Sequence, residues 1–140
     1  MSQLPVMKPY IGGEWIESES QKYTTIYDPS TGKPIAQVPQ CTAAEVEKAI
    51  AAAKAAYPAW KNTPVRNRAS IMMKLRNLLE RDKEELTRMV ATENGKCWSE
   101  AAGDVAKALE MTELACSAPS LLMGESLMDT SAGYDTTLYR

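Results

Sequence analysis

The 140-residue chain contains no histidine. That excludes Ser-His-Asp and Cys-His catalysis within these residues, along with zinc sites that depend on imidazole. Any acid–base work here would fall to Asp, Glu, Lys, Tyr or Cys. Cysteine is scarce too: Cys41, Cys97 and Cys116 are odd in number and far apart, which argues against a disulfide framework. No run reaches the roughly 18 consecutive apolar residues of a membrane helix. The opening MSQLPVMKPY has neither the apolar core of a secretory signal nor the Arg-rich look of a transit peptide, so a cytoplasmic location is expected. Nor is there an excess of positive charge: 16 Lys and Arg stand against 18 Asp and Glu, net −2, which argues against a general nucleic-acid binder.

What remains suits a soluble globular segment with a core, at 44% hydrophobic and 24% charged residues. The first forty residues read as β. Tyr10-Ile11, Gly12-Gly13 and Glu14-Trp15-Ile16 form a hairpin pattern, because paired glycines permit the positive φ of a tight turn. Tyr23–Tyr27 is β-branched and aromatic, Asp28–Lys33 (DPSTGK) carries turn chemistry, and Ile35–Val38 is the return strand.

The period then changes. Thr42 and Glu45 stand in capping-box register. Val46, Ala49, Ile50 and Ala53 follow at helical spacing, and Pro58 is expected to limit that helix. Thr63-Pro64 reads as an N-cap with a first-turn proline. It opens a long helical region striped by Ile71, Leu75, Leu78, Leu79, Leu86, Met89 and Val90. The polar run ERDKEE predicts a break near Asp82, and Asn94-Gly95 predicts a stop. A further helix is expected from about Ser99 through Val105, Leu109 and Cys116, bent by Pro119 and ended by Gly124. From Tyr134 to Arg140 the chain alternates as a strand with no visible turn or partner, an exposed edge.

Glu93–Val105 (ENGKCWSEAAGDV) concentrates the candidate chemistry. Neither Gly32-Lys33 nor Gly95-Lys96 has the earlier glycine and following Ser/Thr of a phosphate loop. Cys97 beside Lys96 and a helix start has features that lower a thiol pKa, but no histidine activates it and no glycine-rich elbow presents it. Cys116 reads as core, Cys41 as a loop residue, and the methionines as core filler. Asp104 lies beside Ala101-Ala102-Gly103, where a carboxylate is costly to bury unpaired.

Taken in order, these pieces resemble the N-terminal segment of the NAD(P)-dependent aldehyde dehydrogenases. YIGGEWIES is similar to the family's opening hairpin, and YDPSTGKPIAQVP to its second. Trp60 and the run PVRNRASIMMKLRNLLERDKEELTRMVATENGK look like its paired helices ending in E-x-G-K. Ala115–Leu127 (ACSAPSLLMGESL), ENGK and Gly103–Val105 look most like the CoA-acylating methylmalonate-semialdehyde branch. Lys107 stands where that branch carries a carboxylate-clamping arginine; lysine supplies charge without the planar fork.

The resemblance implies an α/β fold for the intact enzyme. This chain would be an α+β fragment of it: two N-terminal β-hairpins, three or four helices and a terminal strand. Residues 1–124 would be the N-terminal part of the cofactor-binding domain, and residues 125–140 the start of the oligomerisation arm. The implied reaction runs from a thiohemiacetal at cysteine through hydride transfer to NAD to release of an acyl group to CoA or water. The aldehyde substrate is a small molecule, the assembly a homo-oligomer, and neither nucleic acid nor membrane is involved. The family's nucleophile, base and oxyanion asparagine match no position here, so no catalytic or cofactor-binding residue is expected and the chain alone is expected to be inactive. A stand-alone scaffold or partner of a full-length enzyme is the competing expectation. Two peripheral roles carry over: Lys107 for a substrate carboxylate, and Asp104 with the backbone carbonyls of Ile26 and Tyr27 for a monovalent cation.

Overall fold

The computed structural model describes residues 4–140; residues 1–3 of the 1–124 segment lie outside the described residues. The architecture is α+β, with three antiparallel strand pairs and five helices among the described residues. The chain divides into two compact units. One runs to Thr63 and resumes over Glu84–Asp104; the other comprises Pro64–Lys83 and Val105–Arg140.

In the first unit β1 (Tyr10–Ile11) pairs with β2 (Glu14–Trp15), Tyr10 opposite Trp15. Gly12 and Gly13 take φ of +65° and +93°, the two positive angles that a tight hairpin turn demands. The Tyr10 and Trp15 rings meet across the pair at 4.9 Å between centroids. β3 (Tyr23–Tyr27) and β4 (Pro34–Pro39) form the second hairpin, with an irregularity between Ile26 and Tyr27. Its turn is organised by Asp28, which accepts from Ser30 N at 2.8 Å and from the Thr31 hydroxyl at 2.9 Å.

α1 (Ala43–Asn62) opens with the expected capping box. Glu45 Oε2 accepts from Thr42 N at 2.6 Å, while Glu45 N donates to the Thr42 hydroxyl at 3.3 Å. Pro58 does not end this helix, contrary to the sequence expectation; four more residues follow it. Proline removes one amide donor, but Thr63 closes the end by donating its hydroxyl to Ala59 O at 2.9 Å and its amide to Trp60 O at 3.1 Å. Thr63 is therefore the C-cap of α1 rather than an N-cap, and Pro64 caps the next helix without a side-chain bond. The Val46 and Ile50 face of α1 is exposed. The unit also holds α3 (Lys83–Asn94) apart from its first residue.

The second unit holds α2 (Val65–Arg81), which ends at Asp82 where the polar run predicts a break. α4 (Trp98–Cys116) enters it at Val105. Arg76 ties these two helices by donating Nε–H to Glu113 Oε1 at 2.8 Å. A break at Ser117 separates α4 from the short α5 (Ala118–Leu121), which packs against α2. Beyond Gly124 the chain forms β5 (Glu125–Ser131) and β6 (Tyr134–Leu138) as an antiparallel pair. This corrects the expectation of an unpartnered terminal strand: ESLMDTS does not alternate cleanly, so the sequence does not announce β5. Both strands are exposed along their length.

The described core is small: Ala69, Ala101, Val105 and Leu109 are its buried apolar side chains. Ile71, Leu75 and Leu78 on α2 are 48%, 41% and 46% exposed, a stripe without cover here.

Candidate functional site

The Glu93–Val105 joint is built from the end of α3 and the start of α4. Asn94 is the last residue of α3, and Gly95 follows at φ +66°, turning the chain back. A Cβ on Gly95 would stand 3.1 Å from Pro29 Cβ, so the joint lies hard against the Asp28–Lys33 turn of the second hairpin. In that turn the Thr31 hydroxyl and then the Ser30 amide hold the Asp28 carboxyl below its ordinary pKa.

Immediately after the glycine, Lys96 reaches forward over the first turns of α4. Its Nζ donates to Asp104 Oδ2 at 2.5 Å, with the two side chains 40% and 49% exposed. That bond, ahead of the pair's Coulombic attraction, raises the lysine pKa, and Glu100 adds a smaller contribution. Cys97 precedes α4, its carbonyl accepting from Ala101 N at 3.1 Å. Its thiol is exposed, with Sγ 3.2 Å from the Ser99 hydroxyl. No general base adjoins it among the contacts of the described residues. The joint is a turn with an ion pair across it, and residues 92–100 are exposed.

The other predicted positions fall in both units. Ile26 and Tyr27 lie in β3, opposite Ala36 and Pro34 at the hairpin irregularity. Lys107 is in the second unit, two-thirds exposed, its Nζ donating to Glu110 Oε2 at 2.7 Å. Among the described residues no three His, Cys, Asp or Glu side chains gather as a metal cluster.

Two interactions escape sequence reasoning. The capping-box carboxylate of Glu45 also accepts from Glu19 N at 2.9 Å, pinning the connector ahead of β3 to the start of α1. Only 6% of Glu45 is exposed, and the amides of Thr42 and Glu19 together pull its pKa from 4.5 down to about 2. The capping box itself is legible; its second use, 26 residues away, leaves no local signal. The Lys96–Asp104 pair is the other, although each residue stands out alone.

The chain belongs to the aldehyde dehydrogenase family, whose pattern matches residues 15–140. It is 44% identical over 135 residues to a malonate-semialdehyde dehydrogenase 2 of Bacillus cereus, covering 96% of this chain and 28% of that protein. With the malonate-semialdehyde dehydrogenase of Bacillus pumilus the identity is 42% over 139 residues, covering 99% and 29%. Among solved structures, the methylmalonate-semialdehyde dehydrogenase of Oceanimonas doudoroffii superposes with a TM-score of 0.84 at 32% identity, over 96% of this chain and 27% of that one. A Sinorhizobium meliloti protein assigned the same activity and complexed with NAD gives 0.86 at 30%, over 98% and 28%. The chain thus spans just over a quarter of the length of these relatives.

Among the described residues the three strand pairs are antiparallel and two-stranded, with no parallel strand–helix–strand unit of the kind that cradles a dinucleotide.

Proposed function

We propose that this chain supplies the N-terminal segment of an NAD-dependent, CoA-acylating dehydrogenase of malonate or methylmalonate semialdehyde. The observation that carries the reading is the 44% identity across nearly the whole chain to a malonate-semialdehyde dehydrogenase. In that enzyme residues 1–124 belong to the cofactor-binding domain and residues 125–140 begin the oligomerisation arm of a cytoplasmic homo-oligomer. The part played by these residues is to scaffold: hairpins, capped helices and the Gly95 joint hold surfaces in place, while the reacting groups lie in other segments.

Lys107 is the one side chain here assigned to substrate. Its exposed pair with Glu110 is of the kind that contributes little. The ammonium can therefore exchange that partner for the carboxylate of a semialdehyde. As a point charge it recognises the anion without the two-point grip of arginine.

The test is a chimera in which residues 1–140 replace the matching residues of the Bacillus cereus relative. It should form NADH from malonate semialdehyde in the presence of CoA. Lys107→Ala should lower kcat/KM for that substrate and leave propanal unchanged, and Lys107→Arg should match or exceed the parent. A folded chimera equally active on both aldehydes in all three forms would overturn the role of Lys107. A folded chimera with no activity on the semialdehyde would overturn the reading of function.

A further inference from the structure

The resemblance brings a monovalent cation to Asp104, with the Ile26 and Tyr27 carbonyls as companions, and the residues present do not fit it. A hard cation is held by several oxygens, of which a carboxylate is the one that supplies charge. The Asp104 carboxylate already receives an ammonium, with Lys96 Nζ 2.5 Å from Oδ2. Among the described residues Asp104 belongs to no group of three or more His, Cys, Asp or Glu side chains that could hold a metal ion.

We propose that Lys96 is the resident counter-cation of Asp104, filling with its own ammonium the place a monovalent metal ion would take, so that this segment needs no alkali ion there. The backbone dictates the arrangement. Gly95 at φ +66°, wedged against Pro29, reverses the chain and starts Lys96 back along α4, eight residues from its partner. Any alanine-like residue at position 95 would meet Pro29, so the turn that delivers the lysine is fixed by close approach and by a positive φ together. A metal ion at the same carboxylate would face the ammonium at short range, a like-charge contact. Lysine pairing with Asp104, and Glu100 nearby, keep the ammonium protonated.

The test begins with the unmodified 140-residue chain. Its thermal midpoint is measured at one ionic strength in sodium, potassium and tetramethylammonium chloride. A site-bound ion at about a hundred times its dissociation constant would raise the midpoint by several degrees. The proposal expects the same midpoint in all three salts. It further expects Lys96→Met and Asp104→Asn each to lower the midpoint, with the double variant losing no more than either alone. A midpoint raised by sodium or potassium over tetramethylammonium, and levelled by Asp104→Asn, would overturn it. So would additive losses from the two substitutions, since Lys96 would then act on something other than Asp104.

Discussion

Replacing Gly95 by alanine probes how tightly the joint is held. Two costs follow from the structure. An L-residue at φ +66° pays about 1 kcal/mol for the left-handed conformation. The new methyl would also stand 3.1 Å from Pro29 Cβ and 3.5 Å from Pro29 Cγ and Ser30 Oγ. Carbon atoms are at their optimum near 3.5–4.0 Å, and the proline ring cannot swing aside, so the overlap adds about 1 kcal/mol. Gly32 supplies the control. It has nearly the same φ, +68°, with nothing within 4 Å of an added methyl. Gly32→Ala therefore incurs the conformational cost alone. With a urea dependence of about 2 kcal/mol/M, the unfolding midpoint should fall about 1 M for Gly95→Ala and about 0.5 M for Gly32→Ala. Equal shifts for the two variants would refute the claim that the joint bears on the second hairpin.

Glu45 should make stability pH-dependent. Its folded pKa is depressed from 4.5 to about 2, so its contribution is complete above the unfolded value and is lost as pH falls through the folded one. The gap in unfolding midpoint between the parent and Glu45→Gln should be constant above about pH 5 and should close between about 4.5 and 2; a gap unchanged at pH 2 would contradict this. Thr42→Ala, which removes the other half of the capping box, should cost about 1 kcal/mol by urea unfolding, and an unchanged midpoint would show the cap to be idle. The half-exposed Ile71, Leu75 and Leu78 should bind a hydrophobic dye and promote self-association at raised concentration. Leu75→Lys should reduce both, and a monodisperse chain that binds no dye would argue that the stripe is covered.

Features set by neighbouring residues are legible in the sequence. Gly12-Gly13 names its own turn, because only positive φ closes so short a hairpin. Thr42 and Glu45 are three apart and satisfy one another, and ERDKEE breaks the apolar stripe where α2 ends. Legibility fails where a distant partner or a compensating bond decides the outcome. Pro58 looks like a terminator until Thr63 recaptures the carbonyls behind it. The stripe through Ile71 and the pair Val105 and Leu109 look alike in sequence, yet the first is exposed and the second buried at 5% and 6% exposure. Periodicity gives a face and is silent on what covers it. β5 stays hidden because a strand paired only with β6 and exposed on both faces needs no apolar alternation. At the joint, Lys96 and Asp104 each stand out, but their pairing depends on the direction Gly95 gives the chain.

The central claim is that this segment scaffolds an aldehyde dehydrogenase and holds none of its reacting groups. The measurement that bears on it most directly is NADH formation by the 140-residue chain alone, supplied with malonate semialdehyde, NAD and CoA. The account predicts no rate above the protein-free background, because the Cys97 thiol meets the Ser99 hydroxyl rather than a base and the described strand pairs are all two-stranded. A rate above background that Cys97→Ala abolishes would contradict it and make the joint a reaction centre.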